Sequence, residues 1–180
     1  RAPEGALKFF LIGSISSAVI LYGLSFVYGA TGSTAMSAIP EPLASGNGQA
    51  LLGLGLMLAG LSFKIAAVPF HMWVPDTYEA AGTPFVAWLS VAPKAAGFVV
   101  IFRLYVEGVG SSAVFWIPAA AALATVSIIA GNLMAIPQHN IKRLLAYSGI
   151  AHIGYLLMGL AAMNVSGIGM MLFYLVAYLF

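Results

Sequence analysis

Apolar residues dominate the chain in long runs, and short polar or Gly- and Pro-rich stretches separate these runs. A membrane-spanning helix needs roughly 20 mostly apolar residues, and most of the runs reach this length. They predict helices at about 4–29, 49–81, 84–108, 113–136 and 141–162, and a sixth over 167–180 that the end of the sequence truncates. The pattern therefore predicts an all-α fold, a polytopic transmembrane helix bundle.

The second apolar run, about 49–81, is too long for one straight membrane helix. As a continuous helix it would reach roughly 48 Å, against a hydrocarbon core of about 30 Å. It also contains Pro69 and Pro75, and proline cannot donate the backbone hydrogen bond that a helix interior requires. We expect a broken helix, with a first part to about Val68, an interruption near Pro69–Phe70 and a short second part.

Composition narrows the class of protein further. Hydrophobic residues make up 62% of the chain and charged residues only 7%, against about 25% charged in a soluble domain, which excludes a water-soluble single domain and a disordered chain. The chain has no cysteine, so a disulfide-stapled module and a thiolate-ligated Fe–S cluster are excluded within it. The net charge of +2 is too small to indicate nucleic-acid binding. The bundle is expected to lie in a lipid bilayer.

Two lysines within predicted membrane helices are the main candidates for chemistry. Lys64 and Lys94 are both predicted to lie too far from a helix end to snorkel easily. A charge at mid-membrane costs at least about 2.5–3.5 kcal/mol, so each should face protein, water or a partner charge. Burial disfavours the charged amine and a nearby carboxylate favours it, so a lysine between these influences can exchange a proton near neutral pH. The alternative for each is a structural lysine paired with a loop acid or another subunit.

Proline strengthens the prediction for both lysines. Pro69 leaves unpaired the carbonyl of Ile65, next to Lys64, and Pro93 does the same for the carbonyl of Leu89, one turn before Lys94. Free carbonyls at membrane depth need protein or water partners. Each lysine is therefore expected beside a hydrated position.

Histidines and other polar residues extend the candidate site. His71 follows Lys64 by seven residues, and so lies on roughly the same helical face unless the break rotates it. It fits a proton relay or a structural bond to the broken backbone. Ser148, His152 and Tyr155 recur at i, i+4 and i+7, which fits either a hydrated proton path or hydrogen bonds between helices.

The remaining charged residues have simpler interpretations. Asp76 and Glu79 follow Pro75 and are predicted to cap the second part of the broken helix. Glu4 and Lys8 are expected to pair at i, i+4. Three dispersed histidines form no metal or haem motif, and no nucleotide-binding fingerprint occurs. The residues alone thus indicate a protein that moves ions or protons around a broken helix.

Two long stretches resemble a known family. FKIAAVPFHMWVPDTYEAAGTPFVAWLSVAPKAAGF and GNLMAIPQHNIKRLLAYSGIAHIGYLLMG resemble the antiporter-like subunit N family of bacterial NADH-quinone oxidoreductase, respiratory complex I, whose mitochondrial counterpart is NADH dehydrogenase subunit 2. The opening EGALKFFLIGSISSAVILYGLSFVYGATG is similar as well. The pattern PFH-x-W-x-PD-x-Y followed by APK favours subunit N over its paralogues and the Mrp-type antiporters.

The resemblance implies a fold of two inverted five-helix repeats, of which this chain would be an internal fragment. It implies that Lys64, Lys94, His71 and His152 transfer protons, and that Glu4 and Lys8 form a polar pair. It implies that a glutamate partner of Lys64 precedes the fragment, and that the lysine of the second broken helix follows Phe180.

The function implied is that of a proton-translocating membrane subunit of NADH-quinone oxidoreductase, driven by electron transfer elsewhere in the complex. Its partners would be the other membrane subunits, in a bacterial plasma membrane. NADH, FMN, Fe–S clusters and quinone are expected in other subunits, with no cofactor, metal or redox chemistry in this chain. Two alternatives stay open, namely a stand-alone Mrp-like cation/proton antiporter subunit and a structural subunit that only anchors its neighbours.

Overall fold

The computed structural model describes residues 2–179 and contains eight α-helices over this range. Their bounds are α1 Ala2–Thr31, α2 Pro40–Ala44, α3 Gly48–Ile65, α4 Trp73–Ala80, α5 Thr83–Ile101, α6 Ala113–Ala135, α7 Ile141–Ala161 and α8 Val165–Leu179. A π-helical segment, Phe102–Gly108, continues α5. No strand occurs between residues 2 and 179, and five apolar helices in this range are long enough to cross a membrane. The prediction of an all-α transmembrane bundle is confirmed.

The long helices pack closely in two pairs where glycine removes the side chain. In the pair of α1 and α3, a Cβ added at Gly23 would lie 2.7 Å from the carbonyl oxygen of Gly53. In the pair of α6 and α7, a Cβ added at Gly131 would lie 2.6 Å from the backbone nitrogen of Ala151. Small residues at such crossings let the backbones approach, and the resulting van der Waals contacts help to hold helices together in lipid.

The broken helix is present, but its break is earlier and longer than the prolines predicted. The first part, α3, ends at Ile65 rather than near Val68, and α4 begins at Trp73. The helix ends because Ala66 takes a left-handed conformation with φ of 65°. Its N–H donates to the Phe63 carbonyl and the N–H of Ala67 to the Ser62 carbonyl, at 3.0 and 2.8 Å, which is a Schellman ending.

A hydrogen bond from a neighbouring helix supports the break. The N–H of Val68 donates to Ser127 Oγ of α6 at 3.0 Å, and the Ser127 side chain is fully buried. Trp73, the first residue of α4, donates from its indole N–H to the Phe63 carbonyl at 3.3 Å. The backbone between α3 and α4 is thus held from both sides by side chains rather than by helical hydrogen bonds.

Ion pairs tie α4 to the starts of α1 and α7. Asp76 accepts hydrogen bonds from Lys8 Nζ at 2.6 Å and from Arg143 Nη1 at 2.8 Å, and Glu79 accepts from Arg143 at 3.1 Å. These bonds, with that from Lys8 first, hold the pKa of the Asp76 carboxyl below its ordinary value. The predicted pair of Glu4 and Lys8 forms at 2.8 Å.

The predicted capping role of Asp76 and Glu79 is replaced by these ion pairs. The residue that precedes α4, Met72, makes no side-chain cap hydrogen bond. Both carboxylates instead face cations on other helices, because α4 is short and lies between α1 and α7.

Candidate functional site

Lys94 lies in the interior of the bundle, halfway along α5. Its exposed fraction is 3%, and its Nζ has no hydrogen-bond partner within residues 2–179. The Nζ lies 5.8 Å from the centre of the Tyr78 ring of α4. An ammonium at this distance from an aromatic face gains some electrostatic stabilisation, but no hydrogen bond replaces its lost hydration. Lys94 is thus a buried amine without a hydrogen-bond partner in the described bundle.

A glycine on α7 gives Lys94 access to a tyrosine of α8. A Cβ added at Gly149 would lie 3.1 Å from Lys94 Nζ and 2.9 Å from the Tyr178 hydroxyl oxygen. Both distances are measured from the same Cβ position. Lys94 Nζ and the Tyr178 hydroxyl oxygen are therefore at most 6.0 Å apart, which is the sum of 2.9 and 3.1 Å. A single water can bridge polar groups at such a separation.

His152 stands at the centre of a group of tyrosines. Its Nδ1 forms a hydrogen bond with the hydroxyl of Tyr174. Its ring centre lies 5.2 Å from that of Tyr178 and 5.9 Å from that of Tyr155. The Tyr155 hydroxyl in turn lies 3.5 Å from Nδ2 of Asn132 on α6. Of the predicted polar stripe on α7, His152 and Tyr155 therefore join a network that crosses to α8 and α6.

An open cleft connects this network to the starts of α5 and α7. Its volume is about 360 Å³. Its polar lining consists of Tyr78, Thr83, Ser90, Lys142, Ser148, His152 and Tyr178. The apolar residues Val86, Ala87 and Leu145 complete the lining. Hydroxyl and imidazole groups can each form hydrogen bonds with water, so water can bind at the polar positions of the cleft. The predicted residues Ser148 and His152 line the same space as Tyr178, which meets Lys94 at Gly149.

Lys64 lies elsewhere and differs from its prediction. It is the penultimate residue of α3, and its side chain is exposed on the outside of the described helices. The Schellman ending places it in the last helical turn, where the partial negative charge of the helix end favours a cation. Lys64 is therefore not buried in mid-helix among the described residues.

His71 is separated from Lys64 by the break. It is buried, with an exposed fraction of 8%, and its Nδ1 has no hydrogen-bond partner in the part of the chain that the structure describes. Because Lys64 is exposed and His71 is buried, the break turns the two side chains toward different surroundings. The structure brings Lys94 and His152 into one polar region and leaves Lys64 outside it.

Sequence reasoning missed Tyr78, Tyr174, Tyr178 and Gly149. Tyr174 and Tyr178 are four residues apart, so their shared helix face could have been noticed. Gly149 had no signal, because 20 glycines occur in the chain and most fit helix packing. Between residues 2 and 179 no group of three or more His, Asp or Glu side chains is placed to hold a metal ion.

Known membrane proteins share this fold and sequence pattern. A solved structure of the Mrp complex from Dietzia sp. DQ12-45-1b matches with a TM-score of 0.89 over 98% of this chain and 33% of that one, at 22% identity, which shows the fold alone. The family model described as NADH:quinone oxidoreductase/Mrp antiporter, TM, matches residues 1–180, and the chain belongs to this family. The chain is therefore a multi-pass membrane protein.

Individual relatives agree with the resemblance found in the sequence. NADH-quinone oxidoreductase subunit N of Moorella thermoacetica is 47% identical over all of this chain and 38% of its own length, and that of Desulforamulus reducens is 48% identical with the same coverage. A chain in the structure of respiratory complex I from Thermus thermophilus with bound aureothin is 40% identical, with a TM-score of 0.80 over 97% of this chain and 38% of that one. The resemblance to subunit N is confirmed, and the chain spans about two fifths of the length of these relatives.

Proposed function

We propose that this chain belongs to a proton-translocating membrane subunit of an NADH-quinone oxidoreductase, in a bacterial plasma membrane. The names of its relatives and the complex I structure support this proposal. Its partners are then the other membrane subunits. NADH, FMN, Fe–S clusters and quinone are held by other subunits, and this chain moves protons in response to their electron transfer.

The buried, unpartnered amine of Lys94 is the observation that carries the proposal. A buried amine without a hydrogen-bond partner lowers the stability of a membrane protein. We therefore infer that Lys94 has a function that an apolar side chain cannot perform. Lys94 can lose its proton at low cost when its surroundings become less favourable to charge, and regain it when they become more favourable. His152, in the adjoining cleft, is the group that exchanges the proton with Lys94.

Lys64 and His71 complete the proposed set at the break. Lys64 exchanges protons at the end of α3, and His71 does so within the break, where its unpaired Nδ1 is available. Because Lys64 is exposed and His71 is buried, the two residues are separate proton-transfer sites rather than one site.

The test is NADH-driven proton pumping by membranes that carry the full-length protein with Lys94→Met or Lys64→Met. We expect each variant to lose the proton pumping of this subunit while the complex remains assembled. Arg103→Gln is the matched control, since it removes one cation from an exposed pair with Glu107 at 3.2 Å, away from the cleft. Normal pumping by an assembled Lys94→Met complex would refute the proposed role of Lys94.

The second candidate function is a stand-alone cation/proton antiporter. It is favoured by the family description, which names the Mrp antiporter together with NADH:quinone oxidoreductase. Sodium-coupled proton transport by the purified full-length protein in vesicles, without NADH or a redox partner, would support this alternative. Absence of such transport, together with NADH-dependent pumping in the complex, supports the first proposal.

A further inference from the structure

We propose that Tyr178 and Tyr174 of α8 carry protons between Lys94 and His152, and that Gly149 keeps open the space in which Lys94 and Tyr178 meet. The inference rests on the proposed function and assigns it a route through specific hydroxyl groups. It makes α8 part of the proton path, although no lysine, histidine or carboxylate occurs in this helix.

The geometry at Gly149 supports the first half of the route. Lys94 Nζ and the Tyr178 hydroxyl both approach the bare Cα face of Gly149, one from α5 and one from α8. Gly149 is itself buried, and a Cβ at this position would crowd both groups, at 3.1 Å from Lys94 Nζ and 2.9 Å from the Tyr178 hydroxyl oxygen. The amine has no hydrogen-bond partner among the described residues, so the nearby Tyr178 hydroxyl is a polar group through which it can exchange a proton by way of a water.

The geometry at His152 supports the second half. Tyr174 is hydrogen-bonded to Nδ1 of His152, and Tyr178 lies on the same face of α8, one turn later. The ring centres of Tyr174 and Tyr178 lie 5.8 and 5.2 Å from that of His152. Both tyrosines therefore contact the same imidazole, and Tyr178 also lines the cleft, where water can complete contacts longer than a hydrogen bond.

The proton transfer balances without any further reactant. The ammonium of Lys94 releases a proton, through one water, to the hydroxyl oxygen of Tyr178. As this oxygen gains a proton it passes its own to Tyr174, which in the same way delivers its proton to Nδ1 of His152. Lys94 ends as a neutral amine, His152 ends as an imidazolium, and both phenols are unchanged.

The experiment measures protons pumped per NADH oxidised in membranes with the full-length protein in the assembled complex. Tyr174→Phe and Tyr178→Phe keep the rings that pack on His152 and remove only the hydroxyls. We expect the double variant to lose the same share of pumping that Lys94→Met removes. Tyr28→Phe, on the exposed surface of α1, is the matched control and should pump normally.

Gly149 is tested by a pair of variants with the same added Cβ. The atoms that this Cβ would approach are the ends of two flexible side chains, so both variants should fold. Gly149→Ala forces Lys94 Nζ or the Tyr178 hydroxyl out of its present position and should lose pumping. Gly149→Ser adds a hydroxyl in the same place, which can carry the proton, and should retain more pumping than Gly149→Ala. A purely structural glycine would make the two variants equal.

The outcomes separate this inference from the function on which it rests. If Lys94→Met abolishes pumping but the tyrosine double variant pumps normally in an assembled complex, the tyrosine route is refuted and the proposed function stands. If Lys94→Met itself pumps normally in an assembled complex, the proposed role of Lys94 is refuted, and the tyrosine route is refuted with it. If the tyrosine variants do not assemble, the comparison of Gly149→Ala with Gly149→Ser tests the tyrosine route instead. Equal pumping by these two variants refutes the route.

Discussion

Ser127 supports the break between α3 and α4, and its removal tests how the break is held. Its Oγ is the acceptor for the N–H of Val68, and it comes from a different helix, α6. We expect Ser127→Ala to destabilise the full-length protein, because the Val68 N–H then stays buried with no acceptor.

The expected loss of stability depends on whether removing the serine hydroxyl leaves a backbone group without a hydrogen-bond partner. A buried backbone donor without a partner costs about 1–3 kcal/mol. Ser62 of α3 is equally buried, but its hydroxyl donates at 2.7 Å to the carbonyl of Leu58 in its own helix, which keeps its helical partner. Ser62→Ala therefore leaves no backbone group unpaired and should cost less than about 1 kcal/mol.

The assay is the free energy of unfolding of the purified full-length protein in mixed micelles, titrated with a denaturing detergent. Hydrogen exchange at the Val68 amide gives a local reading, and we expect it to accelerate in Ser127→Ala while staying unchanged in Ser62→Ala. Equal losses of stability in the two variants, with no change in exchange at Val68, would show that the hydrogen bond does not support the break.

Three further predictions concern packing, the buried amine and the ion pairs. Gly131→Ala should lose about 1–3 kcal/mol in the same titration because the new Cβ meets backbone of α7, whereas Gly55→Ala, with open space around it, should gain up to about 1 kcal/mol. Lys94→Met should raise the thermal unfolding midpoint of the protein, since it removes a buried polar group without a partner; a lower midpoint would contradict this. The pKa of Asp76 is lowered in the folded state, so its ion pairs should contribute their full stability above about pH 3.8 and lose it as the pH falls through the lowered pKa. The free energy of unfolding of Asp76→Asn should therefore depend less on pH in that range than that of the unaltered protein.

The helical architecture could be predicted from the apolar runs because a lipid bilayer permits few backbone conformations. A backbone in hydrocarbon must satisfy its hydrogen bonds internally, so a long apolar run becomes a helix. The position of the break was less predictable. Pro69 indicated an interruption, but α3 already ends at Ile65 because the next residue, Ala66, is left-handed, and alanine gives no signal for that conformation.

The candidate site was predictable only where a residue is unusual for its helix. Lys94 and His152 stood out because charged and titratable residues are rare in apolar helices. Tyr178 and Gly149 did not, since both types are common in membrane helices, and their importance arises where α5, α7 and α8 meet. Lys64 was expected far from a helix end because the prolines placed the break after Val68, whereas α3 ends at Ile65, one residue after Lys64.

The similar depth of Lys94 and His152 determines how the membrane voltage would act on a proton transferred between them. The starts of α5 and α7 border one cleft, and each residue follows the first residue of its helix, Thr83 or Ile141, by 11 positions. Both therefore lie roughly 16 Å from the same end of the bundle. A charge that crosses the full membrane gains or loses about 2.3 kcal/mol per 100 mV. A proton transferred between these two residues, as we propose, would cross almost none of that field, so the membrane voltage would not change its equilibrium between them.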